Sequence, residues 1–103
     1  MAAQLLALYG APTDPAAFEA HYFGTHIPLA KKMPGLRSYT VNKGALSAGD
    51  GKPPYFLLAI LEFDSMEALG AAAGSPEGQA AVADVPNFAS GGCTILTYET
   101  QTV

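Results

Sequence analysis

One histidine stands in a stretch whose other inward positions are apolar. With Asp14 to Lys32 read as a helix, Phe18, Tyr22, Leu29 and Met33 form one stripe, and His26 falls about 50° from its centre at roughly 100° per residue. An inward imidazole can take or give a proton near neutral pH, because its ordinary pKa lies in that range. Its other possible role is a structural hydrogen bond from the helix to a strand or loop. Tyr9, Tyr22, Tyr39 and Tyr98 fall on core-facing or cavity-facing positions. Their hydroxyls could orient a substrate, with Tyr39 the first choice because its strand follows the helix; a satisfied core ring is the plainer use. Asp84, at the end of a later helix, could hold an imidazole in one tautomer or contact a ligand, while capping is the commoner task of such an aspartate.

The remaining polar residues are assigned less chemistry. His21 lies about 90° from the stripe centre on its other edge and is expected at solvent or on a dimer rim. Arg37 could anchor a carboxylate or enolate, or form an inter-strand ion pair. Cys93 is the one cysteine, and with no basic neighbour in sequence to lower its pKa it reads as a small buried hydrophobe. Two histidines five apart, with no carboxylate cluster, are poor material for a metal site. Nothing resembles a phosphate loop or a dinucleotide fingerprint. The expectation is no cofactor and no metal, with a histidine-ligated haem as a minor alternative that an optical spectrum would reveal.

These residues need elements to position them. Gln4 to Tyr9 reads as a strand. Asp14 then caps a helix with Pro15 at its first position, and Pro34-Gly35 stops it after Lys31 and Lys32. Pro28 should kink this helix around His26, because its ring displaces the Gly24 carbonyl. Leu36 to Gly44 alternates as a second strand, with Arg37, Tyr39 and Val41 on one face. Ser47 to Pro54 is a flexible hairpin loop, and Tyr55 to Phe63 a third strand. Asp64 or Ser65 caps a second helical region that breaks at Gly74-Ser75-Pro76 and resumes to about Asp84. Gly92 to Glu99 is the fourth strand. The order strand, helix, strand, strand, helix, strand predicts an α+β, ferredoxin-like βαββαβ domain over residues 1–103, with one antiparallel four-stranded sheet and two helical regions on one face.

Both faces of that sheet read as apolar: Leu5, Ala7 and Tyr9 against Leu6 and Leu8; Phe56, Leu58 and Ile60 against Leu57, Ala59, Leu61 and Phe63; Leu96 and Tyr98 against Cys93 and Ile95. Two helices cover one face, so a second copy of the sheet is expected on the other, leaving a cavity between sheet and helices or between sheets. Composition agrees, since 50% of the 103 residues are hydrophobic and 14% charged, little polar surface for a small globule. A net charge of -4 with five Lys and Arg argues against nucleic acid. The expected ligand is small and hydrophobic. Met1 to Leu8 lacks a secretory pattern, and no apolar run of about 18 residues suggests a membrane span. A reduced, cytoplasmic protein is expected.

Six stretches resemble one family. Asp14-Pro15-Ala16-Ala17-Phe18 through Tyr22, His26-Ile27-Pro28-Leu29 and Met33-Pro34-Gly35-Leu36 look like the first half of an EthD domain. Phe63-Asp64-Ser65, Ser75-Pro76-Glu77-Gly78 and Asp84-Val85-Pro86-Asn87-Phe88 look like its second half. The resemblance implies a dimeric α+β barrel. It carries the family histidine onto His26, in its Pro28-Leu29 context, and carries no role to His21, where many members have an aromatic residue. EthD proteins are named for a bacterial ether-degradation cluster, and the wider superfamily includes cofactor-free monooxygenases, muconolactone-type isomerases, polyketide cyclases and dehydratases, and haem enzymes. What the resemblance implies is therefore a set of reactions: isomerisation, dehydration or cofactor-free oxidation with His26 moving the proton, or ligand binding with His26 structural.

Overall fold

The chain runs β1 (Ala3–Gly10), α1 (Pro15–His21), a π-helical turn (Tyr22–His26), α2 (Ile27–Ala30), β2 (Ser38–Val41), β3 (Tyr55–Phe63), α3 (Met66–Gly74), α4 (Pro76–Asp84), a 3-10 turn (Val85–Asn87) and β4 (Cys93–Glu99). The computed structural model describes residues 2–51 and 53–103; Lys52 of the expected hairpin loop lies outside them. The four strands form one antiparallel sheet in the order β2-β3-β1-β4. This is the ferredoxin-like arrangement that the alternation of elements predicts.

Local chemistry accounts for most element ends. The Asp14 carboxylate accepts from the Ala17 N–H at 3.1 Å, and Pro15, without an N–H to waste, opens α1. Ser65 caps α3 and Ser75 caps α4 in the same way, through the Ala68 and Gly78 N–H groups. Ser75 is also where α3 ends, so the break expected at Gly74-Ser75-Pro76 is present. β2 is shorter than the alternation from Leu36 to Gly44 suggests. After Val41 the Asn42 side chain accepts from the Leu58 N–H at 2.8 Å, and Gly44 turns the chain at φ 74°.

The first helix departs from expectation in kind. Pro28 has no N–H to offer the Gly24 carbonyl, and the chain does not simply bend there. It slips its hydrogen-bond register, so that the Ile27 N–H reaches back five residues to the Tyr22 carbonyl. One π turn absorbs the missing donor. Helical geometry then ends at Ala30 rather than at Lys32.

The sheet has a covered face and an open one. On the covered face Ala3, Ala7, Tyr9, Leu57, Ala59, Leu61 and Phe63 are buried beneath Phe18, Tyr22, Met33, Leu69, Ala72 and Phe88. Side chains as fully buried as Phe18, Tyr22 and Phe63 each contribute about 1.5–3 kcal/mol of transfer free energy. Phe56, expected on the opposite face with Leu58 and Ile60, is on the covered side. Tyr9 pairs with Leu57 and Gly10 with Tyr55, so Phe56 is the extra residue of a bulge and its ring meets Phe18 at 5.2 Å.

The open face has an apolar centre, where Leu6 lies opposite Ile60 and Leu96, and Leu8 opposite Leu58. One end of it is polar. The Tyr98 hydroxyl donates to Gln4 Oε1 at 2.8 Å and Gln4 Nε2 to Glu62 Oε1 at 3.0 Å. Tyr98 is thus not on the core or cavity side, because pairing of Cys93 with Tyr9 fixes the alternation of β4 and sends Tyr98 outward with Gln4.

The helices of the second half meet at Gly78. A Cβ there would stand 2.2 Å from the Ala72 carbonyl oxygen and 2.6 Å from that of Ala73. Gly78→Ala should therefore force α3 and α4 apart and destabilise by about 1–3 kcal/mol in urea unfolding. Gly70→Ala, on exposed helix with nothing within 4 Å of its Cβ, should stabilise by up to about 1 kcal/mol. Equal effects from the two substitutions would contradict this account.

Candidate active site

The last residue of α4 is a buried aspartate placed between two imidazoles. Asp84 Oδ2 accepts from His26 Nδ1 at 3.1 Å and from His21 Nε2 at 3.0 Å; Oδ1 accepts from His21 Nε2 at 2.8 Å and from Asn87 Nδ2 at 3.1 Å. In an α-helix, residues five apart point about 140° from one another. Across a turn closed by hydrogen bonds five residues long they lie one above the other. The π turn is what brings His21 and His26 to the same carboxylate.

Aromatic rings hold both imidazoles in place. His26 stacks on Tyr22 with ring centroids 5.2 Å apart and leans on Phe88 at 4.7 Å, while His21 stacks on the other part of Phe88 at 5.4 Å. His26 is 5% exposed and the His21 side chain 29% exposed. The pair therefore runs from the interior to the surface through Asp84.

His26 Nε2 has no hydrogen-bond partner among the described residues, and it is not sealed in as an orphaned buried atom. The residue lines a cavity of about 60 Å³ between the covered sheet face and helices α2 and α4, with Tyr9, Tyr39, Met33, Val82 and Ile95 among its walls. With Nδ1 donating to a carboxylate, the lone pair of the neutral ring is on Nε2. Burial pushes the His26 pKa down, and the hydrogen bond and charge of Asp84 only partly offset it. Burial acts to raise the Asp84 pKa, but donors from Asn87, His21 and His26 outweigh it and hold the carboxyl below its ordinary value. The resting pair is a neutral imidazole on an ionised carboxylate, the form suited to accepting a proton.

The four side chains Tyr9, Tyr22, Tyr39 and Asp84 divide into two pairs. Tyr39 and Tyr9 line the cavity; Tyr22 and Asp84 do not. The Tyr22 hydroxyl lies 2.7 Å from that of Tyr39 and its ring is fully buried, so it stands behind Tyr39 as Asp84 stands behind His26. Burial raises the pKa of Tyr9, Tyr22 and Tyr39, Tyr9 further because the Cys93 thiol is beside it. All three stay neutral and able to donate. Cys93 is itself partly buried with a raised pKa, as a small apolar filler would be.

His21 is the residue that the 3.6-residue periodicity misplaces, since solvent or a dimer rim was its expected place. The signal lies in Pro28, whose missing N–H leaves the Gly24 carbonyl unpaired and invites the five-residue register. Arg37 pairs with Asp64 at the surface, where such a bridge contributes little, and does not reach the cavity. Among the described residues no group of three or more His, Cys, Asp or Glu is placed to hold a metal ion, and both Asp84 oxygens are already taken by N–H donors. No helix among them is long and apolar enough to cross a membrane. A larger groove of about 710 Å³ lies between Phe23 and Glu19 and the segment from Asn42 to Leu46. Lys43 and Glu19 are its charged residues, and it holds no imidazole.

Comparison with known proteins places this geometry. A family model described as EthD domain matches residues 11–92. An uncharacterised 11.0 kDa protein encoded in the thcB-thcC intergenic region of Rhodococcus erythropolis is 45% identical over 97 residues, 93% of this chain and 92% of that protein. The crystal structure of an EthD family protein from Bacillus halodurans is 36% identical with a TM-score of 0.89, covering 98% of this chain and all of that one. More distant structures show the shared fold alone. A dimeric ferredoxin-like protein of unknown function from Thermobifida fusca is 18% identical with a TM-score of 0.71, over 97% and 92% of the two chains. SnoaB, a cofactor-independent oxygenase from Streptomyces nogalater, is 14% identical with a TM-score of 0.70, over 99% and 95%.

The cluster sets the response to acid. His26 in the folded chain is harder to protonate than its ordinary 6.5, so the unfolded chain gains protons first as the pH falls below that value. Asp84, held below 3.8, adds a second loss in the carboxylate range. Both signs agree: stability is full above the imidazole range and falls on acidification. Thermal midpoints measured from neutral to acidic pH should drop in two stages, and His26→Gln should flatten the upper one. A midpoint that rises between neutral pH and pH about 5 would contradict the assignment.

Proposed function

The chain belongs to the EthD domain family, and on that footing we propose that it binds a small apolar, oxygenated organic molecule against the covered sheet face and moves a proton on it through His26. The observation that carries this reading is the His26 ring itself, which lines the cavity with Nδ1 held by Asp84 and Nε2 without a protein partner among the described residues. Nε2 takes a proton from an acidified C–H or a phenolic O–H. The electron pair moves onto the neighbouring oxygen, for which Tyr39 and Tyr9, both lining the cavity, are the phenols at hand. Return of the proton at another carbon gives isomerisation, and its delivery to a departing hydroxyl gives dehydration. At a CH2 group, addition of dioxygen to the carbanion forms a C–O bond to a peroxide, which takes the proton back from His26 and loses water to leave a carbonyl, a cofactor-free oxidation of the class named for SnoaB.

The cavity is smaller than the roughly 150 Å³ that accommodates a benzene ring. It admits the reacting end of a molecule, and the remainder leaves past Val82 and Ile95, apolar side chains that are exposed at its rim. No resident cofactor is required for these steps, and a porphyrin needs far more room beside Nε2. The tight fit also favours a second reading, in which the protein holds its ligand without turnover and His26 is structural.

Exchange into heavy water separates the two. Small cyclic ketones, 1,3-dicarbonyls and phenols incubated with the protein in deuterium oxide should lose proton-NMR signal at the activated C–H in at least one case. His26→Gln should slow that exchange by about 10²-fold or more, and Asp84→Asn, whose amide offers an N–H to Nδ1 and favours the wrong tautomer, should slow it comparably. Binding of the same compounds with no exchange supports the second reading.

The open sheet face supports a homodimer, in which the apolar patch of Leu6, Leu8, Leu58, Ile60 and Leu96 meets its own copy. Sedimentation at micromolar concentration should give a dimer, and Ile60→Lys should give a folded monomer. A monomeric wild type would overturn this assignment.

A further inference from the structure

We propose that His21 is a positioning residue that acts on His26 through their shared carboxylate: by donating to both oxygens of Asp84 it divides the negative charge that would otherwise stabilise a protonated His26, and so keeps the inner ring a free base in acid. The proposal rests on the proton-transfer role given to His26 above, but its first test does not.

The geometry is unequal in a useful way. His26 gives Asp84 one contact, at 3.1 Å, whereas His21 gives it two, at 2.8 and 3.0 Å. The His21 side chain is 29% exposed and that of His26 only 7%. With both oxygens of Asp84 engaged by His21, less of the carboxylate's charge is left to stabilise a cation on His26. Burial and a like charge on His21 both act to lower the His26 pKa, while Asp84 raises it.

The surroundings add no competing charge. The titratable groups facing the ring or its cavity are Asp84 and His21, Tyr22 stacked on the ring, Tyr9 from β1 and Tyr39 from β2, with Cys93 of β4 beside Tyr9. The three phenols and the thiol have raised pKa values and are neutral throughout the imidazole range. Among the described residues no Lys, Arg or Glu hydrogen-bonds or ion-pairs with the cluster. Asp84 is the charge that the two histidines share.

The test is a double-mutant cycle read by nitrogen-15 NMR of histidine-labelled protein, titrated from neutral pH down through the imidazole range. His21→Phe keeps the stacking on Phe88 and removes the donor, so the His26 midpoint should shift upward. In an Asp84→Asn background the same substitution should shift it less, because the coupling runs through the carboxylate. No shift, a downward shift, or an equal shift in both backgrounds overturns the proposal; an equal shift would mean that the substitution only admits water. Should Asp84→Asn fail to fold, His21→Gln replaces that arm: its amide N–H still donates to Asp84, so its shift must be smaller than that of His21→Phe, and an equal one overturns the proposal. The acid limb of deuterium exchange, measured on a compound that exchanges in the wild type, should move upward in His21→Phe. Exchange left unchanged by His26→Gln, with the NMR shift intact, refutes His26 as the base and leaves the coupling standing.

Discussion

A single buried carboxylate joins the two halves of this chain. Asp84 lies 58 residues from His26 and 63 from His21, and an unpaired charge in its place would be costly enough to unfold a small domain. Three donors satisfy it: two rings from the first helix and the Asn87 amide from the turn that follows α4. Anything that moves α4 moves the carboxylate, which is why the close approach at Gly78 matters to a site some residues away. The hydrogen bonds also orient the inner ring, so stability and the aim of Nε2 come from the same contacts.

A proline sets the geometry on the other side. Pro28 denies the helix one donor, and the five-residue register that follows places Tyr22, His21 and His26 where no regular α-helix would. Tyr22 then does two things at once. Its ring stacks on His26, and its hydroxyl holds that of Tyr39 on the cavity wall. The cavity thus has a rear layer, Asp84 and Tyr22, that positions a front layer, His26 and Tyr39.

The fold and the family leave the chemistry open, because the closer relatives are known by family or genomic position and the more distant ones share the fold alone. What narrows it is the character of the cavity: apolar walls, neutral phenols and one imidazole in its basic form. Those groups suit moving a proton on a poorly charged molecule and offer no cationic clamp for a phosphate or a carboxylate. The apolar centre of the open sheet face is a separate matter, and is the patch proposed above to meet a second copy of the chain.

The order of the elements, their caps at Asp14, Ser65 and Ser75, the stop at Pro34-Gly35 and the inward direction of His26 were all determined by the sequence, because each depends on residues within a turn or two of one another. The EthD motifs were legible for the same reason, as short runs in a set order. Four features were decided by tertiary structure. Phe56 changed face because pairing with β1 inserts a bulge, and Tyr98 turned outward because the register of β4 is set by its neighbour. Asp84 and Tyr22 stand behind the cavity wall, hydrogen-bonded to His26 and Tyr39, since elements distant in sequence meet there. His21 joined the site because a donor missing at Pro28 changed the helical repeat. Periodicity describes a chain in isolation; the partner of a buried polar group, which must be satisfied wherever it is found, is chosen by the elements that surround it.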